Sequence, residues 1–489
     1  MDTERTDAEA IAFGTDGWRA PLEEFTEGRL RLVAWAVAEH LRAEGRDGPV
    51  IVGYDARESS PGFAETVADA LAEAGFDVLV PERDVPTPVV AHAVVDRGCA
   101  GAIAITASHN PPEYNGVKFI PADGAPAMPA VTADVESRLG EAGPADGGEP
   151  GPASRGEPGP DRGDVRRFDP VEPHRRAVRR LVDADLDGVT VVYDAMHGSG
   201  RGVTDAVLSA AGATVHRRRC SRDPTFGGGG PDPVPERLEG LAAAVRERDA
   251  DIGIANDGDA DRIAVVTPSG HLDANRFFAA TYDALLNEEL LSPPDEEGSA
   301  APGERAVVRT VSTTFLIDRI ADAHGERVRE VPVGFKWVAE AMADGDVLFG
   351  GEESGGFTVR GHVREKDGVL MALLAAAVTA VEPYDDRIER LFETHGEIHT
   401  ARVNVDCPDD EKSAVLEALE GNVPDAIAGE PVDRVVTLDG FKLLLADGSW
   451  VLVRPSGTEP KLRVYAESDA AERAGELAVA GERLIDSLR

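Results

Sequence analysis

Several things are scarce in this chain, and each shortage closes a route. Cysteine occurs three times in 489 residues, at Cys99, Cys220 and Cys407. An odd number so widely spaced builds neither a disulfide framework nor a cysteine zinc site, and all three are read as core residues. No apolar run approaches the roughly 20 residues that span a bilayer, and the start, Met1-Asp-Thr-Glu-Arg-Thr-Asp, lacks a basic-then-apolar leader. A soluble cytoplasmic protein with no membrane partner is the expectation. Positive charge is also short: 50 Lys and Arg against 90 Asp and Glu leave a formal charge of −40. Such a surface repels nucleic acid. It also fits a halophilic protein, because in salt near 1 M the Debye length falls to about 3 Å and self-repulsion is screened.

Lysine is the most telling shortage. There are six, Lys118, Lys336, Lys366, Lys412, Lys442 and Lys461, in a chain that otherwise uses arginine. Lys118, Lys366 and Lys461 fall inside the chemically loaded stretches described below, and Lys336 lies between two of them. An acidic protein that handles an anion must concentrate positive charge locally, so rare lysines in those places favour a site.

With 42% hydrophobic residues the chain is globular, and it is too long for one core. Helical spacing over Arg29–Glu44, Phe63–Ala74 and Pro88–Arg97 alternates with strand-like runs at Pro49–Asp55, Phe76–Val80 and Gly101–Thr106. That alternation is the α/β pattern of a largely parallel sheet. Between about Gly140 and Asp169 the composition turns to Gly, Pro, Glu, Asp and Arg, a linker or insertion too polar to order itself. Two further alternations follow, and a helix over Val369–Val381 is apolar enough to require burial. The expected divisions are 1–138, a linker at 139–168, 169–271, 272–394, and a C-terminal α+β block at 395–489. The turn after strand Val189–Asp194 is glycine-rich, but its third glycine is misplaced for a dinucleotide fingerprint.

Several stretches carry chemistry. Thr106-Ala-Ser-His-Asn-Pro-Pro-Glu-Tyr-Asn-Gly-Val-Lys-Phe places Ser108 where a strand gives way to a loop, with Asn115-Gly116 read as a turn. Asn256-Asp-Gly-Asp-Ala-Asp-Arg sets Asp257, Asp259 and Asp261 at alternate positions between apolar strands. Three such charges call for a hard divalent cation, and Arg262 and Pro268 stand where an EF-hand needs glycine and glutamate. Gly350-Gly-Glu-Glu-Ser-Gly-Gly-Phe offers carboxylates and a hydroxyl suited to sugar hydroxyls, followed by Arg364-Glu-Lys-Asp-Gly. Arg454-Pro-Ser-Gly-Thr-Glu-Pro-Lys has the groups of a phosphate cradle, and Phe13-Gly-Thr-Asp-Gly-Trp-Arg offers a second such turn ending at Arg19. A nucleophile, a metal and clustered cations together point to phosphoryl transfer. No Gly-x-Ser-x-Gly elbow surrounds Ser108, so it is not read as an acyl-transfer nucleophile.

These motifs, in this order over nearly the whole length, resemble the α-D-phosphohexomutases, the phosphoglucomutase/phosphomannomutase family. The resemblance implies three consecutive mixed-sheet α/β domains and a smaller C-terminal α+β domain around a central cleft, each supplying one loop. It implies a phosphoserine at Ser108, Mg²⁺ held by Asp257, Asp259, Asp261 and the Ser108 phosphate, and glucose 1,6-bisphosphate as intermediate and activator. Glu352 and Ser354 would grip the sugar, with Lys336 and Lys366 nearby, while Arg454, Ser456, Gly457 and Thr458 would hold the resting phosphate. His109, Lys118, Arg19 and Arg262 would surround the moving group, with Lys118 the preferred acid/base. The family's dual-specificity and glucosamine branches commonly carry a histidine where this chain has Gly356. The glucose 1-phosphate/glucose 6-phosphate pair is therefore preferred, with mannose or glucosamine phosphates as alternatives and His362 or Lys366 as the second acid/base. Rival readings are a phosphatase with an aspartate nucleophile and a non-catalytic sugar-phosphate sensor. A monomer or homodimer is expected.

Overall fold

The computed structural model describes residues 7–14, 16–140, 162–292, 303–457 and 459–489. Most of the stretch read as a linker, 141–161, and Thr458 lie outside the described residues. The chain divides into two compact units. The first comprises Met1–Ala274, Asn287–Ser299 and Ser354–Pro383, and the second Asn275–Leu286, Ala300–Glu353 and Tyr384–Arg489.

In the first unit, one sheet sets side by side the strands Trp18–Pro21, Tyr114–Pro121, Gly101–Ile105, Val50–Tyr54, Val78–Pro81 and Val165–Phe168. Val50–Tyr54 runs parallel to Gly101–Ile105 and to Val78–Pro81, as the alternation of helix and strand predicts. Val50–Tyr54 and Gly101–Ile105 are buried along their whole length, which explains their unbroken apolar sequence.

Two expectations are corrected here. Asn115-Gly116 is not a turn; both residues lie in Tyr114–Pro121, antiparallel to Gly101–Ile105 and to Trp18–Pro21. Glycine is needed there for close approach, because a Cβ on Gly116 would come 2.3 Å from the Thr106 carbonyl. The Asn115 amide group meanwhile donates to the Ser59 and Ser60 hydroxyls. The stretch taken as a linker also ends in structure: Val165–Phe168 pairs in parallel with Val78–Pro81 at the sheet edge. Its exposed arginines suit an edge and disguise a strand.

The second sheet of this unit runs Gly270–Leu272, Ile263–Thr267, Ile252–Asn256, Thr190–Asp194, Thr214–Arg218. Its last three strands are parallel, but Ile252–Asn256 and Ile263–Thr267 are antiparallel, so the three aspartates sit in the loop of a hairpin. The apolar helix is present as Gly368–Val381, and Gly368 through Thr379 are buried. Asp367 begins it, its side chain accepting from the Val369 and Leu370 amides.

In the second unit, Arg327–Val331, Ala306–Thr310 and Val347–Gly351 are parallel neighbours. The C-terminal sheet, ordered His399–Asp406, Lys461–Ser468, Trp450–Pro455, Phe441–Leu445, Glu430–Val436, Ala426–Ile427, is antiparallel. Helix Ala471–Ser487 lays Leu477, Ala478 and Ile485 into the same core as Val451, Val453 and Val464. Cys99 and Cys407 are core residues as expected, whereas Cys220 is only half-buried beside the strand end at Arg218, whose carbonyl it meets at 3.1 Å.

Candidate active site

Ser108 follows strand Gly101–Ile105 in the left-handed region, φ 51°, and is fully buried. A non-glycine residue with that backbone is strained, and the surroundings hold it there. Its amide donates to Thr106 Oγ1 at 2.8 Å. Its hydroxyl donates to Asp257 Oδ2 at 2.6 Å and lies 3.3 Å from His109 Nδ1. Arg57, absent from the sequence-based reading, organises the loop. Its guanidinium donates to the carbonyls of Ser108, Asn110, Pro111 and Tyr114 at 2.9, 2.7, 2.6 and 3.0 Å and to Asp55 Oδ2 at 2.9 Å.

The aspartate loop packs directly on this turn. A Cβ on Gly258 would meet the Ser108 carbonyl at 2.5 Å, so only glycine lets the two loops touch. Asp257, Asp259 and Asp261 are all buried, and their ligand oxygens lie within 4.8 Å of one another. Burial, then Asp261 and Asp259, pushes the Asp257 carboxyl well above the usual range. Burial acts the same way on Asp259, but the Lys118 ammonium and a 2.7 Å hydrogen bond from Thr87 outweigh it and hold that carboxyl below the usual range. Asp259 Oδ1 and Asp261 Oδ1 have no hydrogen-bond partner. Two orphaned, buried carboxylate oxygens beside a third carboxylate are the donor set a small, hard divalent cation requires, so Mg²⁺ fits these residues.

Two of the rare lysines reach the aspartates. Lys118 Nζ lies 2.9 Å from Asp16 Oδ2, 3.0 Å from Asp261 Oδ2 and 3.4 Å from Asp259 Oδ2. Lys366 Nζ lies 3.3 Å from Asp261 Oδ2, 3.5 Å from Asp16 Oδ2 and 3.6 Å from Glu365 Oε1. Burial lowers both ammonium pKa values, but the surrounding carboxylates win and both groups are held above the ordinary lysine range. Burial pushes Glu365 up to about 7. Arg19 Nη2 pairs with Asp16 at 2.8 Å, and Arg262 Nε stands 3.9 Å from Asp261. The nearby Arg262 charge, followed by burial, pulls His109 down to about 2, so this imidazole is neutral.

The structure separates the two candidates for a second acid/base. Lys366 joins the aspartates, and its chain fills the space beside Gly356, where a Cβ would come 2.4 Å from Lys366 Cδ. His362 instead turns away into a hydrogen bond with Asp367 at 2.7 Å. Asp16 and Glu365, like Arg57, were not singled out from sequence, although both lie inside quoted motifs.

The remaining expected residues are in the second unit, apart from Ser354, which begins the last segment of the first. Glu352 is buried and accepts from the Gly334 amide at 3.0 Å, two residues before Lys336. Glu353 accepts from Thr310 Oγ1 at 3.1 Å. Arg454 pairs with Asp439 at 3.0 Å, and the same carboxylate oxygen accepts the Val333 amide. The turn that follows, containing Ser456 and Gly457, is braced by Lys412, whose Nζ donates to the carbonyls of Ser456 and Glu459 at 2.7 and 2.6 Å. Lys412 was passed over, though its rarity was the available signal.

Four family models match the chain in order: phosphoglucomutase/phosphomannomutase α/β/α domain I over residues 10–145, domain II over 175–270, domain III over 282–395, and the C-terminal domain over 403–483. A protein of Methanothermobacter thermautotrophicus assigned as a probable phosphoglucosamine mutase is 34% identical over 94% of this chain and 95% of its own. A phosphoglucomutase/phosphomannomutase of Thermococcus kodakarensis is 30% identical over 97% and 98%. A crystal structure from Thermus thermophilus, assigned as a phosphomannomutase, superposes with a TM-score of 0.80 at 28% identity, covering 98% of this chain and 99% of that one. The chain belongs to the phosphoglucomutase/phosphomannomutase family, the α-D-phosphohexomutases, and is an intramolecular phosphotransferase of that class.

Proposed function

We propose that this enzyme interconverts glucose 1-phosphate and glucose 6-phosphate through a phosphoserine at Ser108, with glucose 1,6-bisphosphate as the bound intermediate. The carrying observation is Ser108 Oγ at 2.6 Å from Asp257 Oδ2, at the meeting of a strained serine loop with three buried aspartates. Asp257, Asp259 and Asp261 would hold Mg²⁺, which supplies charge neutralisation for the transferring phosphoryl group. In the first transfer the P–Oγ bond to Ser108 breaks as the free sugar hydroxyl bonds to phosphorus, and the hydroxyl proton passes through the lysine–carboxylate network around Asp16 to the departing Ser108 oxygen. Lys118 is the proton-shuttling group on one side of that network and Lys366 on the other. Arg19, Arg262 and neutral His109 steady the phosphoryl oxygens. Glu352, Ser354 and Lys336 take the sugar, and Arg454, Ser456, Gly457 and Thr458 take the resting phosphate.

The glucose preference is supported by Lys366 filling the space beside Gly356. A second reading, phosphoglucosamine mutase, is favoured by the naming of the Methanothermobacter relative. Coupled assays of glucose, mannose and glucosamine phosphates decide between them by kcat/KM. The phosphoserine is tested by mass spectrometry: about 80 Da is expected on the Ser108 peptide, stable to hydroxylamine. Full mutase activity in Ser108→Ala with added bisphosphate would sink the mechanism, and a hydroxylamine-labile adduct on an aspartate would favour the phosphatase alternative.

A further inference from the structure

A second cluster of ligating side chains lies in the first unit, built from residues the phosphoryl-transfer site does not use. His92 comes from helix Thr87–Arg97, His174 from helix Val171–Leu181, and His362 and Asp367 from the turn leading into helix Gly368–Val381. His174 Nε2 and His362 Nε2 converge on one oxygen, Asp367 Oδ2, at 2.6 and 2.7 Å. The other oxygen, Oδ1, is fixed by the Val369 and Leu370 amides, both at 2.8 Å. The side chains of His174 and Asp367 are 0% exposed and that of His362 is 3% exposed. His92 completes a three-ring group, with ring centroids 5.5 Å from His174 and 6.3 Å from His362, while His174 and His362 are 5.8 Å apart.

A chain with 11 histidines has thus spent three on one buried point, brought from segments far apart in sequence. His92 Nδ1 and His174 Nδ1 are buried without hydrogen-bond partners. The ligand atoms of His174, His362 and Asp367 already lie within 4.8 Å of one another.

We propose that His174, His362 and Asp367, with His92 alongside, form a binding site for a borderline divalent transition metal of the zinc class. His174 and His362 would ligate through Nε2 and Asp367 through Oδ2. The Nε2 protons that now face the carboxylate shift to Nδ1, freeing a lone pair on each neutral imidazole. Nitrogen-rich donors of this kind select Zn²⁺ or Co²⁺, whereas the all-oxygen set of Asp257, Asp259 and Asp261 suits Mg²⁺. Asp367 plays two parts, its second oxygen locked by helix amides in the way that outer contacts orient a metal ligand. The ion would clip together two segments, helix Val171–Leu181 and the turn that carries Lys366.

The test is a Co²⁺ titration of chelator-stripped protein in millimolar Mg²⁺, which keeps the aspartate oxygens filled. The expected result is one equivalent of Co²⁺ giving intense four- or five-coordinate d–d absorption, with a higher melting temperature. His174→Ala and His362→Gln should each weaken that affinity by more than about 100-fold. His362 sits on a turn, so its variant keeps the test alive should His174→Ala fail to fold. Absence of an intense band, or a band retained undiminished by a folded variant, overturns the proposal. Neither readout depends on which sugar phosphate is turned over.

Discussion

Replacing Arg57 by lysine keeps the charge and removes the fork that shapes the serine loop. All five guanidinium N–H groups are used, four on carbonyls of residues 108, 110, 111 and 114 and one on Asp55. An ammonium has three donors, so at least two acceptors in a buried setting lose their partner, at about 1–3 kcal/mol each. Burial already raises the Asp55 carboxyl, with Arg57 the chief opposing influence, so a weaker partner leaves that charge poorly compensated. A loss of about 2–6 kcal/mol is therefore expected. The catalytic effect should be larger than stability alone explains. Ser108 is held at φ 51° by this frame, and a shift of about 1 Å at a reacting atom is enough for about a 100-fold loss. The assay is urea unfolding followed by circular dichroism, alongside steady-state mutase kinetics on the variant that remains folded. Unfolding midpoints and kcat both within twofold of the unaltered protein would refute the reasoning, because the loop would then be shown to hold itself.

Gly258→Ala should push the aspartate loop off the serine loop, since its Cβ would lie 2.5 Å from the Ser108 carbonyl and 2.7 Å from Pro231 Cγ. The expected stability loss is about 1–3 kcal/mol with a fall in kcat, and unchanged kinetics would contradict the close packing. Lys442 predicts a pH dependence. Burial, followed by the Arg309 charge, lowers its ammonium pKa to about 8. Between that value and the unfolded value near 10.5 the unfolded chain binds more protons, so Lys442 destabilises the fold below about pH 8 and this penalty fades as pH rises, by up to about 3 kcal/mol. Comparing urea midpoints of the unaltered protein and Lys442→Met from pH 7 to 10 should show the former gaining on the latter; parallel curves would contradict the shift. The −40 charge predicts a melting temperature that climbs as KCl approaches 1 M, and a flat salt profile would remove the case for a halophilic protein.

The parts read well from sequence were those whose chemistry is local. The Ser108 loop, the aspartate triad and the apolar helix ending at Val381 each announce themselves within a dozen residues. What stayed hidden depends on distant register. Arg57 meets carbonyls 51–57 residues further along, and His92, His174 and His362 share no spacing that a linear reading would notice. Asn115-Gly116 misled because the same dipeptide serves a tight turn or a close strand crossing, and only the Thr106 carbonyl opposite decides which. The edge strand Val165–Phe168 was lost among charged neighbours because an edge tolerates arginine.

None of the six lysines is exposed: Lys118, Lys366, Lys412 and Lys442 are buried, and Lys336 and Lys461 are half-covered. Lysine-directed reagents therefore find few targets on the outside of this protein, and labelling at the four buried lysines reports on the interior. A slow acylation at Lys118 or Lys366 would follow opening of the site, and one at Lys412 would follow loosening of the Ser456 turn. The shortage of lysine makes each of the four buried amines a built-in probe of motion.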